Sequence, residues 1–187
     1  QMCIRDRGSF TQIGSDIYGD AANDRSGYSV SISSDGSVVA IGANGGSNDG
    51  RGHVRIFKNL NNIWTQVGSD INGEIGVGAD GSAGDSSGDS ISLSADGSFL
   101  AIGATQNDGN GENSGHVRIY KNVNNNWIQV GSDIDGEAAG DGSGFSISLS
   151  ADGSVVAIGS PGNDGNGDTS GHVRIYKNVN NNWIQVG

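Results

Sequence analysis

Apolar residues and serines alternate with period two along Tyr28-Ser-Val-Ser-Ile-Ser33, the pattern of a β-strand. Asp35-Gly36 follows and predicts a tight hairpin, because Gly takes φ > 0 at no steric cost. Val38-Val-Ala-Ile41 is a short continuous apolar run, expected of a strand covered on both faces. Beyond a loop of Gly, Asn and Asp, His53-Val-Arg-Ile-Phe57 predicts a third strand, Asn59 to Asn62 a turn, and Trp64 to Val67 a fourth strand.

The same succession returns twice. Gly-His-Val-Arg-Ile-(Phe/Tyr)-Lys-Asn stands at 52–59, 115–122 and 171–178. Trp64-Thr-Gln-Val-Gly-Ser-Asp-Ile71 recurs at Trp127–Ile134 and in part at Trp183–Gly187, with a weaker forerunner at Phe10–Ile17. Asp35-Gly36, Asp96-Gly97 and Asp152-Gly153 form a third recurring block. Gly14, Gly68, Gly131 and Gly187 mark periods of 54, 63 and 56 residues, the longest carrying an insertion between Ile71 and Gly88. Self-similarity at this length, with four antiparallel strands per unit, predicts propeller blades. The blades fall at about 28–67, 89–130 and 145–186, with 8–17 as the last strand of a blade missing upstream. The serines of each first strand suit the crowded axis of such a disc. Known propellers have from about four blades upward, so the fold expected is all-β: a β-propeller segment of about three four-stranded antiparallel blades, an incomplete ring. It would expose a blade face at each end of the arc.

Composition agrees. Ile and Val together number 32 and Leu only 4, and β-branched residues favour a pleated surface over a helix, which excludes helical bundles and α/β folds. No apolar run of about 18 residues is present, so no membrane insertion is expected. The first seven residues, with the only Cys and the only Met, share nothing with the repeats. Met2-Cys-Ile-Arg-Asp-Arg7 resembles translated adaptor sequence, and 1–7 is read as a non-native leader outside the 8–187 repeat region.

Asp24-Arg-Ser-Gly-Tyr-Ser-Val-Ser-Ile-Ser33 with Val38-Val-Ala-Ile-Gly-Ala43 resembles the FG-GAP repeat of integrin α-chain propellers and their bacterial relatives, and Gly159-Ser-Pro-Gly162 resembles its "GAP" half. The resemblance implies a propeller that binds ligands in adhesion, with calcium held in a long loop between the first two strands. Two features depart from it. The Phe-Gly pair is Ser-Gly at 26–27, 87–88 and 143–144, with an aromatic one place later at Tyr28 and Phe145 that becomes Asp89 in the second unit. The first connection is only Ser-Ala-Asp-Gly-Ser, too short for the family's calcium loop, so those calcium residues do not carry over.

Charge adds a direction. The net charge of −11 argues against nucleic acid as a partner. In an up-and-down blade the 2–3 loops and the 4–1 connections share one side of the disc. Those segments hold 14 acids against Arg25 and Arg51, while the rest of 8–187 is balanced, so the excess is expected on one face. Crowded carboxylates invite a hard cation with oxygen ligands. The local candidates for calcium are Asp164-Gly-Asn166-Gly-Asp168 and Asp108-Gly-Asn110-Gly-Glu112, with Glu137 and Asp141 of the 4–1 segment as partners for a shared site. The same strings also read as solvated polar turns.

Other motifs point to scaffold. His53, His116 and His172 start the third strand of separate units and are too far apart to share one metal. Trp64, Trp127 and Trp183 are expected to pack between blades, and Arg55, Arg118 and Arg174 to pair with nearby acids. Gly84-Asp-Ser-Ser-Gly88 matches a nucleophile elbow only in letters, since no strand-turn-helix surrounds it, and Gly140–Gly144 opens no helix to cradle phosphate. The function expected is a non-catalytic binding or adhesion module of an extracellular or cell-surface protein. It would meet a protein or glycan ligand on its acidic face and pack on the remaining blades of its parent. Two alternatives stand beside it: a hydrolase or lyase propeller whose catalytic blades lie elsewhere, with Asp89 and the 72–88 insertion as unit-specific candidates, and a structural spacer.

Overall fold

The computed structural model describes residues 11–45, 50–74 and 84–187. Its strands form three antiparallel meanders. The first runs β1 (Ser29–Ile32), β2 (Val38–Ala43), β3 (His53–Leu60) and β4 (Ile63–Gln66), with β5 (Ile71–Asn72) pairing back on β3. The second repeats this as β6 (Ser90–Leu93), β7 (Phe99–Ala104), β8 (His116–Val123), β9 (Asn126–Gln129) and β10 (Ile134–Asp135). The third is β11 (Ser146–Leu149), β12 (Val155–Ser160), β13 (His172–Val179) and β14 (Asn182–Gln185). The expected four-stranded blades are therefore present, and the molecule is an all-β propeller segment in which no sheet closes on itself.

Turn chemistry sets these registers. Gly36 lies at φ 71°, and Ser33 N–H donates to the Val38 carbonyl at 2.9 Å, closing the first hairpin. Asn61 and Asn62 lie at φ 55° and 66°, the paired left-handed conformation of a two-residue hairpin that Asn tolerates better than most residues. The same pair recurs at Asn124–Asn125 and Asn180–Asn181.

The core lies between blades. Ala40, Val54 and Ile56 of the first blade meet Ile91, Leu93, Leu100 and Ile102 of the second. Val117 and Ile119 of the second meet Leu149, Val156 and Ile158 of the third. Hydrogen bonds repeat across both joints. Ser29 Oγ donates to the Gly88 carbonyl and Ser90 Oγ to the Gly144 carbonyl, each at 2.6 Å. Leu93 N–H donates to Ser31 Oγ, and Leu149 N–H to Ser92 Oγ. Trp127 Nε1–H donates to the Val67 carbonyl and Trp183 Nε1–H to that of Val130, which fixes the tryptophans as inter-blade residues. Trp64 Nε1–H makes the same bond to the Ile13 carbonyl, although 11–17 forms no strand among the described residues.

Close approach at the joints needs glycine. A Cβ on Gly42 would overlap the Gly88 carbonyl oxygen, and one on Gly103 that of Gly144. The equivalent Gly159 faces only its own neighbour Ser146. Gly103→Ala is expected to cost about 2 kcal/mol in urea unfolding, through forced separation of two backbones. Gly159→Ala in a monomeric 187-residue chain, where a Cβ would meet only Ser146, should move the midpoint little; equal effects would contradict the joint geometry.

Candidate functional site

The β1–β2 turns are self-contained. Asp35 Oδ1 accepts hydrogen bonds from Ser33 Oγ and Ser37 N–H. The Ser37 amide and these hydroxyls lower its pKa to about 2, and Asp152 is brought to about 2 in the same way, with Ser150 first among its donors. These turns are braced by their own hydrogen bonds and are too short to wrap a cation.

The other side of the disc is different. There the 2–3 loops and the 4–1 connections touch: Asn110 Nδ2–H donates to the carbonyls of Gly136 and Glu137 at 2.8 and 2.9 Å. Pairing of β5 on β3 and of β10 on β8 draws each 4–1 connection back over the start of the third strand. His53 and His116 sit at those starts and meet Asp70 and Asp133 of their own blades, while His172 meets Glu137 and Asp141 of the preceding connection.

In the second blade His116 is 1% exposed, and its Nδ1 lies 3.5 Å from Asp133 Oδ2. One ligand atom each from Glu74, His116 and Asp133 lie within 4.8 Å of one another. Arg118 reaches the same place, with Nη1 3.6 Å from Glu74 Oε1. Behind them Asp85, buried, accepts the Glu74 N–H on Oδ2 at 2.7 Å, while its Oδ1 has no hydrogen-bond partner among the described residues. Burial pushes the Asp85 carboxyl above its usual range, with help from Glu74, and Asp135 is raised by burial and by Asp133 and Glu74. Burial, together with the Arg118 charge, lowers His116 to about 4, so the ring is neutral at pH 7 and free to accept or ligate.

The third blade repeats the arrangement with Glu137, Asp141 and His172, whose ligand atoms also fall within 4.8 Å of one another. His172 Nδ1 is 3.8 Å from Glu137 Oε2, and Arg174 Nη1 is 3.7 Å from Glu137 Oε1. Asp141 Oδ2 accepts from Glu137 N–H, Ala138 N–H and Asn163 Nδ2–H. The first blade groups Asp20, His53 and Asp70, with Arg55 on Asp20 and Asp24 3.7 Å from His53 Nε2. The arginines do pair with acids, as their repeat suggested. The histidines, read singly as scaffold, each stand in a set of carboxylates: His53, His116 and His172 share no metal with one another, but each has its own donor set.

The two sequence-predicted loops are placed on this side and are internally braced. Asp108 Oδ1 accepts Asn113 N–H at 2.8 Å, and Asp164 Oδ1 accepts Thr169 N–H at 2.7 Å. Asn110 spends its amide on the 4–1 backbone, Asn166 N–H donates to Ser170 Oγ, and Glu112 and Asp168 are exposed. Glu137 and Asp141 are brought together with His172, whereas the loop acids Asp164 and Asp168 are not in that set. Asp49 and Asp80 lie outside the described residues, as does most of the 72–88 insertion. Sequence reasoning singled out Asp141 but not its equivalents Asp24 and Asp85, the buried aspartates two places before the other Ser-Gly pairs. Their signal was the recurrence Asp-x-Ser-Gly itself.

Near the strand starts of all three blades a hollow of about 340 Å³ is lined by Arg25, Tyr28, Asn44, Asp89, Thr105 and Phe145, among others. Asp89 replaces the aromatic of its neighbours here, accepting hydrogen bonds from Asn44 Nδ2 at 2.7 Å and from Thr105 Oγ1.

Comparison with known proteins agrees with this architecture. The FG-GAP repeat model matches residues 77–120. Over that stretch the chain is similar to an FG-GAP repeat. No curated protein matches it in sequence. Among solved structures, the FG-GAP-like chain is similar to a candidate 6-phosphogluconolactonase from Bacteroides uniformis, at 18% identity and a TM-score of 0.56 over 85% of this chain and 39% of that one. Saccharomyces cerevisiae Sqt1 matches at 15% identity and 0.53, over 88% of this chain and 35% of its own. Kuenenia stuttgartiensis hydrazine synthase matches at 15% and 0.52, over 95% and 38%. At these identities the likeness is one of fold. The FG-GAP-like chain spans well under half the length of the structures it matches.

Proposed function

We propose that this FG-GAP-like arc is a non-catalytic binding module of an extracellular or cell-surface protein. It meets a protein or glycan ligand on its acidic loop face, with calcium held among the loop carboxylates, and it packs on further blades of its parent. The observation that carries this reading is the gathering of acids on the side of the 4–1 connections: Glu74, Asp85, Asp133 and Asp135 outnumber the guanidiniums of Arg118 and Arg174 that face them, and the carboxyls of Asp85 and Asp135 are raised above their ordinary range, by burial first. A bound cation would relieve that repulsion. Exposed Glu112, Asp168 and Glu137 lie on the same side as the hollow around Asp89, where a ligand would contact Tyr28 and Phe145.

The test is thermal unfolding in calcium and in chelator. A higher midpoint in millimolar calcium is expected, reduced in Glu137→Gln. An unchanged midpoint removes calcium from the reading. Binding to glycan and peptide arrays that weakens in Asp89→Ala supports ligand contact at the hollow. Turnover lost in the same variant would instead favour a catalytic propeller.

A further inference from the structure

We propose that the second blade's set of Glu74, His116 and Asp133 binds a divalent transition-metal ion of the zinc class, in preference to calcium. This rests on the reading that the acids of this side hold a cation, and it gives a different class of ion to the set built around the most deeply buried histidine.

Segments distant in sequence build the set. β10 pairs on β8 with Asp135 opposite His116, which lays Asp133 beside the ring. Glu74 arrives from the connection between the first and second blades. Its N–H is held on Asp85 Oδ2 at 2.7 Å, and its Oε2 accepts Asn107 Nδ2–H at 3.3 Å. One ligand atom each from Glu74, His116 and Asp133 then fall within 4.8 Å of one another. Two ligands of a tetrahedral zinc, each about 2.0–2.1 Å from the ion, stand about 3.4 Å apart. His116 Nδ1 and Asp133 Oδ2 are 3.5 Å apart. Arg118 Nη1 is 3.6 Å from Glu74 Oε1, too long for a hydrogen bond, so that oxygen is not committed to the guanidinium.

A second observation comes from buried atoms. The His116 side chain is 1% exposed, against 4% for His53 and 24% for His172, so this ring is the most enclosed of the three. His116 Nε2 and the Oδ1 of Asp85, itself 1% exposed, have no hydrogen-bond partner among the described residues. Burying such atoms unpaired is costly. In the first blade the equivalent groups face each other, with His53 Nε2 3.7 Å from Asp24 Oδ2. An ion on Nδ1 accounts for this layout. A metal-bound imidazole turns its other N–H to a carboxylate, which fixes the tautomer and strengthens the ligand, and Asp85 is that carboxylate by its place in the repeat. Ligand type then decides the ion. Imidazole with two carboxylates suits zinc and its first-row neighbours, which accept three protein ligands and keep a fourth position open. Calcium takes about six to eight oxygens, more than Glu74 and Asp133 supply.

Titration of the untagged 187-residue chain with zinc in millimolar calcium tests this, with cobalt as a visible probe of nitrogen and oxygen ligation. A zinc equivalent is expected that calcium does not displace, with a shift of the His116 ring-nitrogen NMR signals on binding. Glu74→Gln and Asp133→Asn change side chains that reach solvent, so folding, checked by circular dichroism, is expected to survive. Each should weaken that equivalent by about tenfold or more. Zinc held equally well by both variants, displaced by calcium, or not bound at all overturns the proposal. The two readings fail separately. A midpoint raised by calcium, with His116 signals unmoved by zinc, overturns this proposal and leaves calcium standing. Zinc held at His116 with no response to calcium supports it and removes calcium.

Discussion

Replacing Ile119 by Ala is expected to lower stability by about 4 kcal/mol, whereas the same change at Ile175 should cost less than about 1. The two residues occupy identical places in identical strings, Gly-His-Val-Arg-Ile-Tyr-Lys-Asn, on β8 and β13. Ile119 is 1% exposed, sealed between the second and third blades among Val117, Leu149, Val156 and Ile158. Ile175 looks outward from the third blade. Truncating Ile119 removes transfer free energy and leaves a cavity that the stiff sheets cannot collapse into, while truncating Ile175 removes atoms already partly in water. Urea unfolding of the two variants against the unsubstituted chain, each shown to be monomeric by sedimentation, measures both. Equal losses would show that the blades do not stack as described.

The second large effect is pH dependence centred on His116. Its pKa falls from 6.5 to about 4, first through burial and then through the Arg118 charge, with Asp133 pulling the other way. The folded ring stays neutral where the unfolded ring takes a proton. Its contribution is therefore present above about pH 6.5 and is lost as pH falls from there toward about 4. At about 1.4 kcal/mol per pH unit, the loss is roughly 3 kcal/mol. Asp85 and Asp135, raised by burial, act in the opposite sense: the folded state takes up their protons more readily as pH falls, which offsets part of the loss. Comparing wild type with His116→Gln across this range isolates the histidine, and the variant's stability should fall less steeply by that amount. An NMR titration giving His116 an ordinary midpoint near 6.5 would contradict its burial.

Calcium chemistry illustrates how far local reading carries. Asp108 and Asp164 were legible as oxygen-rich loops, and the structure puts them on the acidic side, but their carboxylates brace their own turns. The better-gathered donor sets combine residues far apart in sequence: Glu74, His116 and Asp133, or Glu137, Asp141 and His172. Glu137 and Asp141 were legible as two acids of one 4–1 segment, but nothing within that string announces their histidine. The sets exist because the 4–1 connections run over the starts of the third strands: β10 on β8 brings Asp133 to His116, and the connection that follows carries Glu137 and Asp141 to His172 of the next blade.

By itself the sequence determined the local units: strand period, Asp-Gly and Asn-Asn turns, three repeats, and a resemblance to FG-GAP propellers. Those follow from backbone torsion and from side-chain alternation, which act over a few residues. Only the tertiary structure decided which copy of a repeated residue is buried, where Asp24, Asp85 and Asp141 go, and which acids meet a histidine. Those outcomes depend on the neighbour that each blade stacks against, and identical strings have different neighbours.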